Sequence, residues 1–238
     1  MARAGVSLDD AVRERFRPTV MAHEQVLPAL DVLADLLPGR GLQRGSVIAT
    51  RGPAAMSIGL ALMAGASAAG SWLGVVGLPS IGLSAVSELG IALERVFLVA
   101  APPPQRWAET VAAVADGAEL VLARVPAQLR ASDMRRVQSR LSTRGTVLVL
   151  AGLDEQAGIQ PDLVVGTAAP QWEGINDGQG RLLARQVQIE VGGRRAGRPL
   201  RRLLWLPASD GSISAVTTIT ASRPTSASGG GDLLEQAG

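Results

Sequence analysis

Cysteine, lysine and tyrosine are absent from this 238-residue chain, and histidine occurs once, as His23. Without cysteine there is no disulfide, no thiolate nucleophile, no iron–sulfur ligand and no zinc ribbon. One histidine excludes a multi-histidine metal site within one chain, and no metal is expected. All 23 basic side chains are arginine, so a Schiff-base lysine and a phosphate-loop lysine are both impossible. Aromatic residues make up 3% and charged residues 18%, against 47% hydrophobic. That balance supports a sizeable core and excludes a chain disordered throughout. The length suits one large domain or two small ones.

The net charge is +2, nearly neutral. A sequence pI of about 10.7 follows from the missing lysine and tyrosine, because nothing titrates between the carboxylates and the arginines except His23 and the terminus. It is therefore no signal for nucleic acid. The first residues carry Arg3 and then Ser7, Leu8, Asp9 and Asp10, with no apolar stretch of a secretory leader, so a cytoplasmic location is expected. From Gly52 to Ser87 no residue is charged, long enough for a membrane span. Pro53, Pro79 and repeated glycines break the run into a helix, a turn and a strand, and a buried helix–strand pair is expected instead.

The chain divides into an N-terminal helical arm (1–27), an α/β core (28–207) and a disordered tail (208–238). Ser7 is a suitable N-cap for an arm helix with Leu8, Val12 and Phe16 on one face, ended by Pro18. A second helix is expected over 27–37. Strands are then expected at 46–50, 72–77, 96–100, 120–123 and 146–151, and helices at 54–68, 83–89, 104–115 and 131–142. Short apolar strands alternating with helices mark a parallel sheet covered on both faces. Further strands at 162–167, 171–175, 182–191 and 200–206 read as antiparallel additions at the sheet's edge. Beyond Pro207 the chain is rich in Ser, Thr, Ala and Gly, as in a tail, and Asp232-Leu233-Leu234-Glu235-Gln236 reads as the tail's end or as a short docking peptide.

Gly39, Gly41 and Gly45 precede the first core strand rather than following it, so they cannot form a dinucleotide loop and read as the turn feeding that strand. The loop after the strand is Arg51-Gly52-Pro53-Ala54-Ala55-Met56-Ser57-Ile58-Gly59. Against the phosphate-loop pattern, Ser57 stands at the second glycine, Ile58 at the lysine and Gly59 at the metal-binding hydroxyl. Ile58 cannot neutralise phosphate and Gly59 offers Mg²⁺ no oxygen. The strand at 120–123 runs into Arg124, a cation where a metal-orienting carboxylate would stand. No nucleotide or other cofactor is therefore expected, and no catalytic residue.

Residues 30–48 resemble the segment leading into the phosphate loop of RecA recombinases, Gly52-Pro53 the start of that loop, and residues 89–99 the stretch ahead of their third core strand. The pattern is most similar to the actinobacterial ImuA′ proteins and extends over roughly residues 28–206. The resemblance implies a RecA-like mostly parallel sheet flanked by helices, with antiparallel strands added at the C-terminal edge. It implies a non-catalytic adaptor of a DNA-damage-induced mutasome for error-prone translesion synthesis. The implied partner is an inactive Y-family-like polymerase subunit of the ImuB type, and through it an error-prone replicative-type polymerase and the sliding clamp. A weaker resemblance to SulA-type cell-division inhibitors leaves another SOS-linked binding role open. A residual ATPase using unorthodox residues is the enzymatic alternative.

Candidate contact residues are the arm face (Leu8, Val12, Phe16), Trp172, Trp205 and the arginines Arg194, Arg195, Arg198, Arg201 and Arg202. These arginines suit an acidic partner, or phosphate if DNA is touched directly, or else a solvated turn. Arg130, Arg135, Arg136 and Arg140 fall on one helix and read as its exposed side. Trp107, early in a helix, is expected to be packed, and His23 to be structural or exposed.

Overall fold

The computed structural model describes residues 26–127, 129–154, 159–176 and 179–216. Leu8, Val12, Phe16, His23 and the end of the tail lie outside the described residues.

Strand β1 (Val26–Pro28) pairs antiparallel with β2 (Gly41–Gln43), with Leu27 opposite Leu42. Between them lie one turn of helix, α1 (Asp31–Ala34), and a 3-10 turn at Pro38–Arg40. The helix expected over 27–37 is thus reduced to α1, and the boundary drawn after residue 27 falls inside β1. The leucines satisfy their burial without a long helix: Leu27, Leu33, Leu36, Leu37 and Leu42 are all buried. The 3-10 turn leaves Gly39 and Arg40 at positive φ.

Among the described residues the main sheet has nine strands. They are β3 (Val47–Arg51), β4 (Leu73–Val76), β5 (Val96–Val99), β6 (Leu120–Ala123), β7 (Val147–Leu150), β8 (Leu163–Asn176), β9 (Gln179–Gly192), β10 (Leu200–Trp205) and β11 (Ser214–Ala215). Their order is β5-β4-β6-β7-β3-β8-β9-β10-β11. The pairs from β5 to β8 are parallel, and those from β8 to β11 antiparallel. The connecting helices are α2 (Ala55–Ala68), α3 (Leu83–Glu88), α4 (Trp107–Gly117) and α5 (Ala131–Arg144). The protein is therefore α/β, with a mostly parallel sheet flanked by helices and an antiparallel extension at one edge.

Strands β4, β6 and β7 are buried at every position, which explains why they read as continuous apolar runs. On one face Ile48, Leu73, Val75, Leu120, Leu122, Val147 and Val149 meet α2 and α3. On the other, Val47, Ala49, Val121, Leu148 and Leu150 meet Trp107, Val111 and Val114 of α4 and Met134, Val137 and Leu141 of α5. Helix α2 is buried almost all round. At Gly65 it lies so close to the first segment that a Cβ would sit 2.5 Å from the Ala29 carbonyl carbon. No helix among the described residues is long and apolar enough to cross a membrane.

Two boundaries move at the antiparallel edge. The strands expected at 162–167 and 171–175 are one strand, β8, which continues through a register shift between Ala168 and Gln171. Ala169 adopts φ +47 there, so the irregularity around Pro170 is a bulge rather than a strand end. Residues 208–216, expected in the tail, form a turn and β11, which pairs Ser214 with Trp205. Ser212 N donates to Asp210 Oδ1 at 2.9 Å, an Asx-type closure that also lowers the Asp210 pKa, with the Ser212 side chain as its first cause.

Candidate functional site

The loop after β3 holds strand and helix close together: only Gly52, Pro53 and Ala54 separate β3 from α2. Gly52 has φ +85, and a Cβ on it would overlap the Thr167 carbonyl oxygen. The Thr167 hydroxyl closes the loop. It accepts from Ala54 N at 3.0 Å and donates to the Arg51 carbonyl at 2.8 Å. The Ala54 amide, at the start of the helix, is thus already bonded within the protein rather than left for an anion. Ile58 is fully buried in the core beneath α2. A Cβ at Gly59 would lie 3.3 Å from Leu122 Cδ1 and 3.5 Å from Val149 Cγ1, so this position also faces the sheet. The strand–loop–helix frame is present, with the Ala54 amide and the Arg51 carbonyl both bonded to Thr167.

Ser57, in the first turn of α2, meets a residue from the other end of the sequence. Arg185 of β9 donates from Nη2 to Ser57 Oγ at 2.9 Å and from Nε to the Leu206 carbonyl at 2.7 Å. Its guanidinium lies 5.0 Å from the ring centre of Trp172, directly across the β8–β9 ladder. Burial lowers its pKa from the ordinary arginine value, yet it keeps its charge at neutral pH. Trp172 is 44% exposed. Ile175, Leu182 and Leu183 on the same hairpin are similarly exposed. Trp205 is half-buried on the other side of the sheet.

At the end of β6, Arg124 N donates to the Val76 carbonyl at 3.3 Å, and Arg124 O accepts from Trp107 Nε1 at 2.8 Å. Trp107 itself is buried, as expected. The backbone of Arg124 is therefore pinned from two sides while its side chain is exposed.

The arginine cluster does not form one patch. Arg194 and Arg195 both reach Asp162 Oδ1, at 3.0 and 3.2 Å. The other oxygen of Asp162 accepts from Val47 N at 2.9 Å, so this buried carboxylate ties the β9–β10 turn to the start of β3. Arg201 pairs with Glu190 at 2.8 Å across the β9–β10 ladder. Arg202 points to the opposite face, where it lies 3.6 Å from Asp35 and donates to the Val32 carbonyl at 3.1 Å. Arg198 is exposed in the turn. On α5, Arg140 and Arg144 clamp Asp116 at 2.6 and 2.9 Å. Hydrogen bonding from Arg140, above all, lowers the Asp116 pKa. Arg136 lies 3.9 Å from Asp133, while Arg130 and Arg135 are exposed.

Thr167, Arg185 and Asp162 were not anticipated from the sequence. Each acts on a residue more than 110 positions away, and no local pattern marks such a pairing. Among the described residues no cluster of His, Asp or Glu is placed to hold a metal ion.

No curated protein matches the chain. Residues 35–156, which run from the end of α1 past β7, match the family model described as the MT3502 N-terminal domain. That span is half of the chain and takes in most of the parallel sheet, and the protein belongs to this family.

Proposed function

We propose that this protein is a non-catalytic, RecA-like adaptor of a DNA-damage-induced mutasome, which docks an inactive Y-family-like polymerase subunit in the cytoplasm. The observation that carries the reading is the loop after β3. It keeps the strand–loop–helix frame of a nucleotide site, while Thr167 bonds the Ala54 amide and Ile58 is fully buried. Arg124 at the end of β6 supports it, since a cation there repels Mg²⁺ rather than orienting it. The antiparallel strands beyond β8 also support it, because the RecA resemblance implies an antiparallel addition at that edge.

With the nucleotide chemistry gone, binding is the remaining use of the frame. The exposed apolar side chains of the β8–β9 hairpin, Trp172 among them, suit a protein contact better than the arginine cluster does, because most of those arginines already hold carboxylates.

The test is affinity purification of the tagged protein from DNA-damaged cells, with a nuclease-treated wash and mass spectrometry. Recovery of a Y-family-like polymerase subunit, reduced by Trp172→Ala, is the expected result. Recovery of a tubulin-like division protein overturns the reading in favour of a division inhibitor. ATP turnover by the purified protein, abolished by Gly52→Asp, overturns it in favour of an enzyme.

A further inference from the structure

In a doubly wound sheet, ligands bind where adjacent strands send their connections to opposite sides, outside the carboxyl ends of those strands. Here that place lies between β4 and β6. Strand β4 leads through α3 to β5 at the sheet's edge, while β6 leads through α5 to β7 in the other direction. A cavity of about 450 Å³ occupies this position. Leu78 and Ile81 line one side, just past β4, with Ala85 on α3. Met56 and Leu60 of α2 complete an apolar wall. Arg124 is the charged residue of the lining. Its side chain has no hydrogen bond or ion pair among the described residues, although its backbone is fixed by Val76 and by the Trp107 indole. Ser57, also in the lining, accepts a hydrogen bond from the Arg185 guanidinium.

The geometry points to a binding site for a monoanion with an apolar body: an aliphatic or aromatic group against Met56, Leu60, Leu78 and Ile81, and a carboxylate on Arg124. An unpaired guanidinium above an apolar wall suits this class, because the fork can bind a carboxylate bidentately while the wall buries the remainder. The same chemistry has two sources, a free small carboxylate or an acidic side chain flanked by apolar ones in an extended peptide. The inference does not depend on the adaptor reading, since it rests on the cavity alone.

Calorimetric titration of the full chain tests it, with octanoate as the free carboxylate and acetyl-Leu-Glu-Leu-amide as the peptide. Octanol serves as the uncharged control and AMP as the nucleotide control. Binding of octanoate or the peptide, weakened about tenfold or more by Arg124→Leu, is the expected result. The tighter of the two probes identifies the source. Ala85→Phe, which fills the cavity from the exposed side of α3 without altering the charge, is expected to abolish binding of both. Octanol binding as well as octanoate, or affinity unchanged by both variants, overturns the proposal. So does binding of neither probe at millimolar concentration, or AMP outcompeting both. Melting curves of the two variants establish that they are folded.

Discussion

In the parallel half of the sheet, β4, β6 and β7 are enclosed by helices on both faces, while β5 at the edge is partly open, with Leu98 exposed. In the antiparallel extension, one face is packed: Val187, Ile189, Val191 and Leu204 join the core beneath α2. The other face carries Val164, Gly166, Gln188, Glu190 and Arg201 around an open hollow of about 520 Å³. Around β4, β6 and β7 the first region can meet a ligand at its strand ends, as at Arg124. The second can act through its surface. The family match covers the enclosed region as far as β7 and leaves the open one out.

Core truncation should break the comparison most clearly. Leu148→Ala, in the middle of the enclosed half, is expected to cost about 3 kcal/mol or more in denaturant unfolding, as large-to-small changes at fully buried sites do. Gly52→Ala joins the two regions, because its new Cβ would meet Thr167 of β8 at a positive φ. A loss of about 2–3 kcal/mol in the same measurement is expected.

Thr167→Val removes the hydroxyl while keeping the shape, leaving Ala54 N without its partner. A loss of about 1–2 kcal/mol is expected. Leu203→Ser, on the open face, should change stability by no more than about 0.5 kcal/mol. A Leu203→Ser loss as large as that of Leu148→Ala would show that the open face is not open in solution.

The smallest effect belongs to Asp116. Its folded pKa is depressed by Arg140 and Arg144, so its contribution is fully present above the unfolded value near pH 4. That contribution is lost as pH falls through the depressed folded value. The melting difference between the parent and Asp116→Asn should therefore stay constant from about pH 5 to 8 and vanish on further acidification.

The enclosed half was largely legible in the sequence, because a strand buried on both faces writes itself as an unbroken apolar run. Residues 120–123 were read as the strand that forms, and the neighbouring strands shifted by about a residue at their ends. The first segment was not legible: β1 and β2 are three residues each and exist only through their pairing. Residues 162–167 and 171–175 read as two strands because the bulge at Ala169 has no local marker.

The candidate loop was located from its position after the first core strand, and its missing lysine was plain. What fills it was not, since Thr167 approaches from 113 residues away. The arginines of the β9–β10 turn were found as a cluster. Alternation along β10 sends Arg201 and Arg202 to opposite faces, Asp162 holds Arg194 and Arg195, and Arg198 is exposed.

The hydrogen bond from Trp107 to the Arg124 carbonyl has an optical consequence. Trp107 is buried, whereas Trp72 and Trp172 are each 44% exposed. A water-soluble quencher therefore reaches Trp72 and Trp172 before Trp107, whose emission should lie to the blue. Any event that shifts the backbone at the end of β6 alters the polar partner of that indole. The protein thus carries its own fluorescent reporter one residue behind the crevice.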